Sequence, residues 1–268
     1  MNKRWTVGVG FCAALGVLSA GAAIGAEGAT QPAGIPTAPI DPEVEKVLHR
    51  LERKGDTIDD LETTIHFTKI DTLLEDEQRY EGTLRFKKDK PNPRFLIQFD
   101  KHVHEGIVSR KKEWHAFDGR WYSEAREKTK QITRREILRP GEERDIFRIG
   151  EGPFPLPFGQ KKADILHHFT VKIGILAKTD PNGTTHLECT PIPGTEMARK
   201  YETVHFYIDP DTDLPVRVRT VDKEEHTQIT VSFPKIKINV GFAASALNLP
   251  KLSGYSTSEE NWATANRR

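Results

Sequence analysis

The chain has 268 residues, with 40 Lys and Arg against 39 Asp and Glu, for a formal charge of +1. Nothing in that balance suggests nucleic acid as the partner. With Cys12 inside an apolar leader, Cys189 is the one cysteine left to the folded part, which excludes an intrachain disulfide framework.

Lys3 and Arg4 precede an uncharged run from Thr6 to Ala26 that ends in Ala23-Ile24-Gly25-Ala26. This predicts a secretory signal peptide over residues 1–26, cleaved after Gly25 or Ala26, in preference to a retained membrane anchor. Residues 27–40, rich in Pro, Ala, Gly and Thr, read as a flexible leader. One domain of mainly β class is expected over residues 41–251, and the polar stretch 252–268 reads as a disordered tail.

Asp41-Pro42 opens a helix, as N-cap and first helical residue. Val44, Val47, Leu48 and Leu51 give it one apolar stripe, and Gly55 is a natural stop. Period-two alternation then predicts strands. Leu61, Thr63, Ile65 and Phe67 form one inner face; Tyr80, Gly82, Leu84 and Phe86 form the next. After the turn Asp89–Pro93, Phe95, Ile97 and Phe99 alternate with Arg94, Leu96, Gln98 and Asp100. Asp118-Gly119 signals a hairpin between Trp114 and Trp121-Tyr122, and Lys128–Thr133 adds a short edge strand.

Residues 134–168 break the pattern. Gly150–Gly159, rich in Pro and Phe, is either a packed plug or a mobile lid, and Lys161–His168 is a short helix. Strands resume at Phe169–Ile175, around Leu187 and Cys189, at Val204–Ile208, at Leu214–Val218 and at Ile229–Phe233. Ile236, Ile238 and Val240 close the series. Cys189 reads as a buried small hydrophobe. About ten strands at hairpin spacing point to one large curved antiparallel sheet over a helix.

The order of these features resembles the LolA-like superfamily of periplasmic lipoprotein carriers and lipoprotein-sorting proteins, over most of residues 43–249. The resemblance rests on the N-terminal helix, Tyr80-x-Gly82 leading to basic residues and Pro91, Phe95–Phe99, Phe117-Asp118-Gly119 and Pro153-Phe154-Pro155-Leu156. It continues through Cys189-Thr190-Pro191, Val204–Asp209, Leu214-Pro215, Asp222, Thr227–Val231 and Ile238-Asn239. It implies an unclosed barrel over helices, with an apolar cavity for acyl chains lined by Leu84, Phe86, Phe95, Ile97, Phe99, Trp114, Val204, Phe206, Val216, Val218, Ile229 and Val231. Phe154, Leu156 and Phe158 would be the lid or plug. Lys90, with Arg94 nearby, would take the place of the basic residue that hands cargo onward, in a loop longer than the family's.

The expected function is therefore that of an exported, monomeric, non-enzymatic carrier in the periplasm. It would shelter lipid or lipoprotein acyl chains between an inner-membrane donor and an outer-membrane acceptor. The alternative is a sensor or structural envelope module of the same fold that binds a protein partner. No cofactor is expected. His102-x-His104-Glu105 and His167-His168 lack further ligands for a metal, and no G-x-S-x-G or paired cysteine supports hydrolase chemistry.

Overall fold

The first helix, α1 (Pro42–Asp56), begins where the capping signals place it. The Asp41 carboxylate accepts from the Glu43 N–H at 2.8 Å, and Pro42 occupies the first turn. Val44, Val47, Leu48 and Leu51 are all buried. Gly55 serves a different purpose from the expected stop. It lies inside the helix, where an added Cβ would meet the Gly159 Cα at 3.1 Å, so it lets a second chain segment approach.

The computed structural model describes residues 40–143 and 156–261. The expected signal peptide, all but the last residue of the leader, Phe154 and most of the Pro-rich segment lie outside these residues.

Twelve longer strands and two short ones follow α1. They are β1 (Asp60–Asp71), β2 (Asp76–Lys87), β3 (Arg94–His104), β4 (Ile107–Ser109), β5 (Glu113–Phe117), β6 (Trp121–Arg126) and β7 (Gln131–Glu136). After α2 (Lys162–His168) come β8 (Phe169–Ile173), β9 (Thr185–Pro191), the short α3 (Glu196–Lys200), β10 (Tyr201–Asp209), β11 (Leu214–Asp222), β12 (Thr227–Ser232), β13 (Lys237–Ile238) and β14 (Ser256–Glu260). They form one unclosed mixed sheet in the order β14-β7-β6-β5-β3-β2-β1-β12-β11-β10-β9-β8, with β13 on β1 and β4 on β3. Among the described strands every pairing is antiparallel except β14 on β7.

Register fixes the faces, because directly paired residues share one. Val218 pairs with Val231, Val231 with Phe67, and Phe67 with Tyr80. Leu84 pairs with Ile97, and Phe86 with Phe95. These residues form an inner face, the one on which α1 packs. Between β2 and β3 the register shifts at Gly82, where a Cβ would stand 1.9 Å from the Gln98 carbonyl oxygen, so only glycine permits the bulge.

Three expectations are corrected. Leu96, placed on the wet face, is buried with Trp114, Ala116, Ala125 and Leu247 on the outer face. Phe242, Leu249, Leu252 and Tyr255 pack against that cluster, so the C-terminal segment covers an outer surface that alternation assigns to water. The tail beyond residue 251 is accordingly not structureless: Ser256–Glu260 make β14 through ladder bonds that a polar sequence forms as readily as an apolar one. With β14 beyond it, β7 is not an edge strand.

Candidate functional site

The inner face divides into two apolar regions. In the first, Val44, Val47, Leu48 and Leu51 of α1 and Ile165 of α2 pack against Phe169, Leu187, Cys189, Val204, Phe206 and Val218. Burial pushes the Cys189 thiol well up, which keeps it protonated and inert. Ion pairs from Lys162 to Glu45 at 2.9 Å and from Arg50 to Asp213 at 3.3 Å hold the rim of α1.

The second region is aromatic. Tyr80 and Phe99 stand 5.2 Å apart between ring centroids, Phe67 and Tyr80 5.9 Å, and Phe95 and Phe117 6.3 Å. Leu84, Phe86 and Ile97 lie on the same face and are buried. Leu156 and Phe158 are buried too, the Phe158 and Phe233 rings meeting edge to face with centroids 5.0 Å apart.

The structure thus brings together Leu84, Phe86, Phe95, Ile97, Phe99 and Val231 on one surface, and Val204, Phe206 and Val218 under α1. Ile229 is half-buried opposite Lys69. Val216 lines a separate groove of about 520 Å³ with His66, Thr212, Arg217 and Lys235. Trp114 is not a member of the inner face. It pairs with Gln98, to which its indole N–H donates at 2.9 Å, on the outer side. Its neighbours Glu113 and His115 point inward in its place. Lys90 is exposed in its loop. Arg94 is tied down, donating to the Asn248 side chain at 2.9 Å and pairing with Asp89 at 3.5 Å.

Beside the aromatic region runs a polar row that apolar periodicity does not reveal. Glu113, His115, Tyr122, Glu124 and Arg126 occupy inward positions of β5 and β6. His115 Nδ1 and the Tyr122 hydroxyl are hydrogen-bonded at 2.7 Å. Burial pushes the His115 imidazole down to about 3, with Arg126 adding to the shift, so it is uncharged at neutral pH. Burial raises the Glu113 carboxyl while Arg126, at 3.9 Å, opposes the shift. Arg126 also pairs closely with Glu124. In the sequence Glu113-x-His115 shares the phase of Phe117 and Tyr122-x-Glu124-x-Arg126 has its own alternation, but the strand register shows that both phases face inward. Such a row beside apolar rings suits the polar end of an amphiphile. The His pair of the sequence lies farther along the same face. His102 stacks on Tyr80 at 4.1 Å and His104 bonds Asp76 at 2.7 Å. Among the described residues no three His, Cys, Asp or Glu side chains converge as metal ligands.

The outer face of β9–β11 carries a second buried polar group. His186 Nδ1 lies 3.1 Å from the Ile175 carbonyl oxygen, which can only accept, so this nitrogen donates. His186 Nε2 must then accept from His205 Nδ1 at 3.0 Å, and His205 Nε2 from the Thr203 hydroxyl at 3.1 Å. The Tyr207 ring stacks on His186 at 4.7 Å, and Arg217 donates to the Thr179 carbonyl at 3.0 Å. The segment 174–184 is thereby strapped over the strands.

No protein-family model matches the sequence, and no curated protein matches it. Among solved structures, the chain is similar to an uncharacterized conserved protein from Thermus thermophilus, at 11% identity and a TM-score of 0.47, over 81% of this chain and 99% of that one. It is similar to a putative outer membrane lipoprotein-sorting protein domain from Vibrio parahaemolyticus, at 12% identity and a TM-score of 0.38, over 76% and 97%. It is also similar to the Pseudomonas aeruginosa MucA/MucB complex, at 12% identity and a TM-score of 0.41, covering 81% of this chain and 64% of that one. At these identities and TM-scores no family and no residue's role is carried over to this chain.

Proposed function

We propose that the protein is an exported lipid- or lipoprotein-binding carrier that works in the periplasm as a monomer without enzymatic chemistry. The observation that supports this reading is the inner face itself. It already buries the apolar stripe of an amphipathic helix through contacts with no directional demand. An acyl chain makes contacts of the same kind, at about 0.8 kcal/mol per buried methylene. The aromatic region from Phe67 to Phe117 receives the chain, whose far end runs beneath α1 against Val204, Phe206 and Val218, and the row from Glu113 to Arg126 faces its polar end. Leu156 and Phe158 act as the plug that yields. Lys90, exposed beside the structurally committed Arg94, meets the donor or acceptor, on the inner and outer membrane respectively. Transfer then follows differences in affinity between donor, carrier and acceptor.

A second reading is favoured by the closure of the inner face, whose apolar residues are almost inaccessible to water in this state. On that reading the protein is a non-enzymatic envelope module that binds a protein partner. Titration of the full-length chain, after signal cleavage, with a fluorescent fatty acid separates the two. Saturable uptake reversed by a competing dodecyl chain supports the carrier, and no uptake over the micromolar range supports the module.

A further inference from the structure

The C-terminal strand is held unlike any other in the sheet. All five residues of β14 are exposed, and its pairing with β7 is the one parallel pairing among the described strands. Its ladder runs Ser256 to Gln131 through Glu260 to Arg135. Outside the ladder, two ion pairs fasten it. Glu259 meets the Arg134 guanidinium at 2.5 Å, and Glu260 meets Arg135 at 3.1 Å. Successive residues of a strand face opposite sides, so the pair Arg134-Arg135 grips an acidic pair from both faces of the sheet.

Such a strand is weakly committed. Solvent-exposed ion pairs contribute little to stability, and β14 buries no apolar side chain of its own. Its apolar anchors, Leu252 and Tyr255, precede it and pack on the outer cluster, so β14 can leave while they remain. When it leaves, β7 presents an unpaired backbone edge flanked by guanidinium groups, a surface that accepts an added strand.

We propose that the β7 edge is a docking site for an extended acidic segment of a partner protein, and that β14 occupies it in the partner's absence. The partner strand runs parallel to β7 and carries two consecutive acidic residues in register with Arg134 and Arg135. Small polar residues precede them, as Ser256–Ser258 do here. Because β14 is tethered, it competes at a high effective concentration, and a free peptide binds the native chain poorly. Displacement therefore needs a partner anchored elsewhere on the protein, or loss of the acidic pair.

The test uses the full-length mature chain and a labelled peptide with the sequence of residues 254–261. Glu259→Lys with Glu260→Lys weakens β14 in place and leaves the edge intact. This variant is expected to bind the peptide at least about tenfold more tightly than the native chain, with binding weakened by salt. Adding Arg134→Glu and Arg135→Glu restores β14 by charge exchange and is expected to abolish peptide binding. Hydrogen exchange on the native chain gives an independent reading: residues 256–260 are expected to exchange at least about tenfold faster than β6. The proposal is overturned if the double variant does not bind the peptide, or binds a Gln-Gln version equally well. It is also overturned if β14 amides are as protected as those of β6, or if the double variant forms strand-exchanged dimers in place of binding peptide.

Discussion

Leu48 sits at the centre of the contact between α1 and the sheet and is 1% exposed. Its replacement by Ala removes three carbons from a cluster that includes Val204, Phe206 and Val218. Leu→Ala changes at such sites cost about 3 kcal/mol, part of it for the cavity left behind. If α1 competes with an acyl chain for this face, the chain recovers part of that loss by filling the cavity. Three methylene equivalents at about 0.8 kcal/mol each amount to about 2 kcal/mol, or an affinity gain of roughly 30-fold. Urea unfolding of L48A measures the first quantity, and displacement of a fluorescent alkyl probe measures the second. The expected result is a less stable protein that binds the probe more tightly. A protein that loses stability with unchanged or weaker probe affinity refutes the idea that a chain lies beneath α1.

Other consequences follow from placement on the two faces. Phe99→Ala is expected to lower probe affinity at least about fivefold, whereas Trp114→Ala leaves it unchanged although both destabilise the fold. The probe titration decides between them. His205 is held neutral, its imidazole pushed down to about 4 by burial, with Arg219 and His186 adding and Glu188 and Asp180 opposing. The unfolded chain takes up that proton first, so His205 contributes stability above pH 6.5 that is lost progressively toward pH 4. The loss is about 3 kcal/mol, and His205→Gln removes that share of the slope while leaving the share due to buried His115. Gly82→Ala drives a Cβ into the Gln98 carbonyl and is expected to cost about 3 kcal/mol or more, read as a fall in melting temperature.

Much of the fold was legible because one face of most strands is wet. Leu61–Phe67 and Tyr80–Phe86 alternate without ambiguity, and Asp41-Pro42 marks the helix start by chemistry that acts locally. Phe95-Leu96-Ile97 is apolar at every position, so alternation cannot say that Leu96 is covered from outside by residues some 150 positions later. Trp114 was misassigned for the same reason. Its strand also carries Phe117, and only the register with β3 shows that His115 and Glu113 share the inner face while Trp114 does not. The strand at Ser256–Glu260 has the composition of a tail, and its order depends on an edge supplied by β7. The His186–His205 chain joins residues on neighbouring strands whose pairing no local pattern reveals. The placement of Lys90 in an exposed loop follows from its turn residues, but the tying of Arg94 to Asn248 is a long-range fact.

The most direct test of the central claim is native mass spectrometry of the mature protein purified from its own envelope without detergent. The carrier account predicts a mass increment that extracts into organic solvent, or a co-purifying acylated peptide, which is lost on competition with a dodecyl chain. A single apo mass that also stays unchanged when fatty acid is added at micromolar concentration contradicts it.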